Sequence, residues 1–186
     1  MGFHTFDVDR ADALDDPGRY RFCSREELLA LLDPAPTDVV ADLGSGTGFY
    51  SDEVAPFVAT LYAVDVQTAM HDIYREQGVP ESVELVTAEV EALPFGDGAL
   101  DAAFSTMTFH EFATDAALAE LARVVRPGGR VVTVDWSADG DGADGPTTDE
   151  RYDLGHAVSA FADAGFKTTH AVARRETFVS VVRRES

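Results

Sequence analysis

The sequence predicts an α/β domain: a doubly wound sheet of seven strands, mostly parallel with an antiparallel C-terminal strand, and helices on both faces. Three observations carry that expectation. The apolar run Val39-Val40-Ala41-Asp42-Leu43 leads into glycines at alternate positions, Gly44, Gly46 and Gly48, which reads as a buried strand turning sharply into a helix. Strand-like and helix-like stretches then alternate as far as Trp136, an order that requires parallel pairing with right-handed crossovers. Two strand-like runs, 167–173 and 177–183, lie so close together that they should pair as a hairpin.

Taken in order, residues 1–23 hold Phe3, Phe6, Leu14, Tyr20 and Phe22 among polar residues, too many aromatics for a disordered tail. Ser24-Arg25-Glu26-Glu27 has the capping-box form and opens a helix through Leu28, Leu29, Leu31 and Leu32, which Asp33-Pro34 ends. The chain thus divides into a cap segment with the first helix, 1–37, and a single domain, 38–186. After the glycine loop, a helix is expected over 49–57, a second strand over 61–65 and a helix over 67–77 stopped by Gly78-Val79-Pro80. A third strand over 83–86 leads to Glu89. The turn Pro94-Phe95-Gly96-Asp97-Gly98 precedes a fourth strand, 99–106, apolar enough to be buried on both faces. Next comes a helix over 116–125, with Leu118, Leu121, Ala122 and Val125 on one side, closed by Pro127-Gly128-Gly129 before a fifth strand over 130–136. Residues 139–148 form a Gly- and Asp-rich loop. The last helix is expected over about 149–164, with Leu154, Val158 and Phe161 at helical spacing.

Ligands of such sheets bind at the carboxyl ends of the strands, and the marked acids all fall there. Leu61-Tyr62-Ala63-Val64-Asp65 ends in a carboxylate about 20 residues past the glycine loop, the position from which ribose hydroxyls are held. An adenosine-containing ligand follows. The dinucleotide fingerprint has its last glycine one residue later, where this chain has Phe49, and Asp42 would repel a diphosphate. S-adenosylmethionine has an ammonium, a sulfonium and a ribose, and no phosphate.

Asp42-Leu43-Gly44-Ser45-Gly46-Thr47-Gly48, the Asp65 strand end, Ala88-Glu89-Val90-Glu91-Ala92-Leu93-Pro94-Phe95 and Leu121-Ala122-Arg123-Val124-Val125-Arg126-Pro127-Gly128-Gly129 stand in one order and spacing. Over residues 38–135 the chain resembles the class I S-adenosylmethionine-dependent methyltransferases, specifically the type 11 group that includes quinone-biosynthesis C-methyltransferases. The resemblance implies a Rossmann-like sheet and a donor site. In it Gly44, Ser45, Gly46 and Gly48 lie against the methionine portion, and Asp42 takes its ammonium directly or through water. Asp65 takes both ribose hydroxyls. Val66 flanks the adenine, with Met70 either beside it or simply core. Glu89, where relatives usually have Asp, accepts from the adenine amino group, Val90 supplies a backbone donor, and Thr106 lines the pocket near the sulfonium. The segment Leu14-Asp15-Asp16-Pro17-Gly18-Arg19-Tyr20 is similar to one that covers the substrate pocket in several relatives; a packing-only helix is the alternative reading.

Methyl transfer needs alignment and exclusion of water, and a base only where the acceptor must lose a proton. His110, just beyond the fourth strand, is the candidate for that base; a helix-capping or packing role is its structural alternative. Thr114 stands where a second ligand of an H-E-x-x-H site would fall, and His4, His71, His156 and His170 are scattered, so no metal site is expected. Ser105-Thr106-Met107-Thr108 lacks the Asn-Pro-Pro-aromatic tetrapeptide of nucleic-acid amino-methyltransferases, which points to a small-molecule acceptor.

Composition narrows the setting. The net charge is −20, with 34 Asp and Glu and a single lysine, Lys167. Such a surface suits solubility at high salt, as in halophiles, and opposes nucleic acid as a partner. No apolar run reaches a membrane span and no signal peptide precedes the domain, so the expected location is cytoplasmic without membrane insertion. Cys23, alone, forms no internal disulfide. The rival readings are a non-catalytic module that binds S-adenosylmethionine or S-adenosylhomocysteine, a protein methyltransferase, and a nicotinamide-dependent oxidoreductase. Oligomeric state is left open by the sequence.

Overall fold

A computed structural model describes residues 6–186; Phe3 and His4 lie outside them. Seven strands form one sheet in the order β3-β2-β1-β4-β5-β7-β6. They are β1 (Val39–Leu43), β2 (Thr60–Asp65), β3 (Val83–Thr87), β4 (Leu100–Thr106), β5 (Val125–Trp136), β6 (Phe166–Ala173) and β7 (Thr177–Arg184). β1 to β5 pair parallel. β7 runs antiparallel between β5 and β6, so the closing hairpin expected from the sequence is present. The chain order reverses between β1 and β4, and the loops that follow these two strands meet there.

Alternation along the strands builds two cores. Val40, Ala102, Phe104, Val132 and Val134 turn to the face covered by α1 (Arg25–Leu32), α2 (Phe49–Val54) and α3 (Thr68–Gln77), through Leu28, Leu32, Tyr50, Val54 and Tyr74. Ala41, Leu43, Ala103 and Val131 turn to the face covered by the short helix α4 (Phe109–Phe112), α5 (Asp115–Val124) and α6 (Leu154–Asp163). Period-2 burial on both faces is what a central parallel sheet demands. Among the described residues no helix is long and apolar enough to cross a membrane.

The structure amends the expected boundaries. α2 stops at Val54, and Ala55–Phe57, containing Pro56, completes the turn as a 3₁₀ helix. β5 begins at Val125, five residues early, because Val125 pairs with Leu100 before a bulge resets the register at Ala102. Gly129 is packed so closely there that a Cβ would lie 2.6 Å from Val125 Cγ1. The last helix begins at Leu154, not near 149. Tyr152 bridges to Ser137, and Asp153 caps α6 by accepting from the His156 amide at 2.7 Å. The N-terminal segment folds as 3₁₀ turns, Val8–Asp15 and Pro17–Arg21, begun by Asp7 and Asp16 side chains that accept from backbone amides.

Candidate active site

The glycine loop is tied to the end of β2. The Gly44 and Ser45 amides donate to Val64 O at 2.8 and 2.9 Å, and the Gly46 amide donates to Asp65 Oδ2 at 2.9 Å. Asp65 Oδ1 accepts from the Gln67 amide at 2.8 Å. Each carboxylate oxygen keeps a further acceptor site, and Asp65 is half-buried at the strand end. Val66 beside it is 44% exposed, whereas Met70 is core.

The three glycines do different things. A Cβ at Gly44 would lie 2.3 Å from Thr108 Cγ2, and one at Gly48 would lie 2.2 Å from the Tyr74 ring, so these two are open to let the protein close on itself. At Gly46 the nearest atom would be Leu14 Cδ1 of the N-terminal segment, at 3.1 Å. The segment is held over the loop by polar contacts. Thr47 Oγ1 and Gln77 Nε2 both donate to Asp15, at 2.6 Å each, and Arg19 donates to Leu14 O at 2.6 Å while its guanidinium lies over Phe49 and Tyr50.

Beneath the loop Asp42 is buried. Its Oδ2 accepts from Ser51 Oγ at 2.7 Å, and its Oδ1 has no partner among the described residues. Burial pushes this carboxyl up to about 7, against the Ser51 hydrogen bond and the charge of Arg19. The Ser45 hydroxyl is likewise buried without a partner among the described residues. An orphaned carboxylate oxygen just before the glycine loop and an orphaned hydroxyl within it fit a ligand that brings donors, as an ammonium does. Glu89 is exposed at the end of the turn after β3, while Val90 points its side chain into the core.

Thr106 is buried at the end of β4. Met107 follows at φ +62°, a conformation disfavoured for any residue with a Cβ, with its amide on Val134 O at 2.7 Å. This reversal starts α4 and brings His110 against β5. The His110 amide donates to Asp135 Oδ2 at 2.7 Å, and its ring Nδ1 lies 3.0 Å from Oδ1. Asp135 is completely buried. Burial alone would lower the His110 pKa, but the charge and hydrogen bond of Asp135, with the charge of Glu111, prevail and hold it above the usual imidazole value. Burial pushes the Glu111 carboxyl up to about 7; the charge of His110 opposes this, and those of Asp65 and Asp135 add to it.

The 139–148 loop lies on the same side. Arg151, buried over the Trp136 ring, donates to Pro146 O and Asp144 O, and Arg21 pairs with Asp144 at 2.6 Å. Phe22 packs on Trp136 with ring centroids 4.7 Å apart. The N-terminal segment, this loop and α4 therefore share one rim at the carboxyl ends of β1, β4 and β5. Sequence reasoning passed over Asp135, Met107, Arg19 and Arg151. The signal for Asp135 was present: an acid ending the apolar run Val131-Val132-Thr133-Val134, as Asp65 ends β2.

A family model described as a methyltransferase domain matches residues 41–133. The chain is 37% identical over 107 residues to the demethylmenaquinone methyltransferase of Corynebacterium kroppenstedtii, covering 57% of this chain and 45% of the relative. It is 36% identical over 105 residues to the biotin biosynthesis bifunctional protein BioHC of Cellvibrio japonicus, covering 54% and 21%. The chain thus spans about half, or less, of these curated relatives. A solved S-adenosylmethionine-dependent methyltransferase from Aquifex aeolicus superposes with a TM-score of 0.87 at 28% identity, over 96% of this chain and 98% of that one.

Proposed function

The chain belongs to the type 11 methyltransferase family, and from that premise we propose that it moves a methyl group from S-adenosylmethionine to a small-molecule acceptor by in-line displacement. When bound, the donor supplies a methyl carbon already activated by a sulfonium. The protein's part is binding, alignment and exclusion of water. The observation that carries the reading is the joined pair of the glycine loop and Asp65, above the unpartnered Asp42 oxygen.

Asp42 and Ser45 hold the methionine end of the donor, Asp65 the ribose, Val66 and the Glu89-Val90 turn the adenine, and Thr106 borders the sulfonium. Leu14, already on Gly46, covers the methionine end and keeps water from it. His110 faces the acceptor and takes its proton where one is lost. A small molecule as acceptor draws support from the names of the relatives, which attach them to demethylmenaquinone and to biotin biosynthesis. The acid-rich, lysine-poor composition supports a protein adapted to high salt.

Calorimetric titration in high-salt buffer with S-adenosylmethionine, S-adenosylhomocysteine and NADH tests this. Binding of the first two, weakened in Asp65→Ala, is expected. Binding of NADH alone would return the glycine loop to the dinucleotide enzymes.

A further inference from the structure

His110 and Asp135 are 25 residues apart and meet through three contacts: the His110 amide on Oδ2 at 2.7 Å, and the ring Nδ1 3.0 Å from Oδ1 and 3.1 Å from Oδ2. A capping role for Asp135 would require only the first. The carboxylate is 0% exposed and, among the described residues, has no arginine or lysine salt bridge, so the imidazole is the titratable side chain hydrogen-bonded to it. On the other edge of the ring, Nε2 is 4.0 Å from Glu111 Oε1, too far for a hydrogen bond. One ring nitrogen is committed and the other is not.

We propose that Asp135 is a positioning residue that grips His110 by Nδ1 and fixes the tautomer whose bare Nε2 takes a proton from the acceptor. The neutral ring then carries its own proton on Nδ1 and donates it to Asp135, leaving a lone pair on Nε2. This deepens the methyl-transfer reading and rests on it for the identity of the proton's source. The acceptor is thereby a molecule whose attacking atom X bears a proton, such as a phenol, hydroquinone, thiol or carbon acid. The X–H bond breaks and its proton goes to Nε2. Its electron pair forms the X–CH₃ bond, and the pair of the breaking C–S bond returns to sulfur. A tertiary amine or a thioether needs no such dyad.

The charged groups bearing on the ring are Asp135 from β5, Glu111 from its own helix and Arg151 from the segment before α6. The two acids favour the imidazolium that forms, and Arg151 opposes it. Asp135 makes the hydrogen bond, so its removal should be felt most.

Long-range ¹H–¹⁵N spectra of the full chain read the tautomer directly, with His110→Gln identifying the His110 resonances. In the wild type the neutral ring should carry its proton on Nδ1. In Asp135→Asn the amide oxygen keeps the His110 backbone amide and the amide NH₂ faces Nδ1, so the ring proton should move to Nε2 and the titration midpoint should fall. An Nε2–H ring in the wild type, or an unchanged tautomer and midpoint in Asp135→Asn, overturns the proposal. Should that variant fail to fold, the wild-type tautomer alone decides. Donor titration separates the two readings: a donor-binding protein with Nε2–H on His110 loses only the dyad, whereas an Nδ1–H ring without donor binding loses the methyl-transfer reading.

Discussion

The Gly46 amide donates to Asp65 Oδ2 at 2.9 Å, so the residue expected to hold the ribose also sets the path of the loop expected to hold the methionine. One carboxylate thus joins the end of β2 to the glycine loop. Asp65→Asn should weaken S-adenosylmethionine binding about 10- to 100-fold, the loss of charge-assisted hydrogen bonds. Asp65→Ala should weaken it further and loosen the loop, which calorimetry paired with amide exchange at Gly46 would detect. Unchanged affinity in both variants would remove Asp65 from the site.

Gly46 and Gly48 should respond differently to the same substitution. Gly48→Ala drives a methyl into the Tyr74 ring and keeps a left-handed backbone, so it should cost about 3 kcal/mol or more of stability. Gly46→Ala meets only the end of Leu14, which can yield, so its stability loss should be nearer the ~1–2 kcal/mol of backbone strain. Donor affinity should suffer more at Gly46 than stability does. Denaturant melts and donor titrations of the two variants give the comparison; equal stability losses would contradict it.

Stability without ligand should fall as pH rises through the neutral range. Asp42 has an ordinary value of 3.8 and is pushed up to about 7 in the fold, and Glu111 goes from 4.5 to about 7. Their folded values lie above the unfolded ones, so the native state holds protons that the unfolded chain has released. This contribution is full below about pH 4 and is lost progressively as pH rises through 7. For fully buried Asp42 it is of the order of 4 kcal/mol at most. Asp42→Asn should therefore flatten the dependence of Tm on pH between 4 and 8 and raise Tm at pH 8, while weakening donor binding. Parallel wild-type and variant profiles would place the pH dependence elsewhere.

Met107 holds a left-handed backbone conformation at the start of the turn that carries His110 to Asp135. Met107→Gly relieves the Cβ clash and should change stability by less than about 1 kcal/mol. Met107→Val, β-branched, should cost about 2 kcal/mol and shift the His110 resonances. If Val is tolerated with His110 unmoved, the reversal does not depend on this residue.

With a net charge of −20 and one lysine, the folded chain repels itself at low ionic strength. Thermal stability should rise steadily from 0.1 M to about 1 M KCl as the Debye length shrinks toward ~3 Å. A Tm independent of salt would dissociate the acidic composition from salt adaptation.

Local pattern carried most of the fold. Apolar runs, glycines at the first turn and acids at strand ends were enough for the seven strands, the sheet class and the glycine loop. These are properties of a few consecutive residues, and backbone geometry makes them legible. Boundaries shifted where a contact distant in sequence won: Val125 pairing with Leu100, Tyr152 bridging to Ser137.

What only the tertiary structure decided is which side chains meet. Asp135 lies beside His110 because β5 pairs with β4 in the register Thr106↔Val134 and Met107 reverses the chain just there. Leu14 covers Gly46 because Asp15 finds Thr47 and Gln77, and Arg151 holds the 139–148 loop by carbonyls that no composition marks as partners. The sequence by itself determined the sheet, the glycine loop and the family. Strand register and packing between distant elements determined the pairing of His110 with Asp135 and the cover over the glycine loop, because a side chain's partner depends on where another segment is placed and not on its own neighbours in the chain.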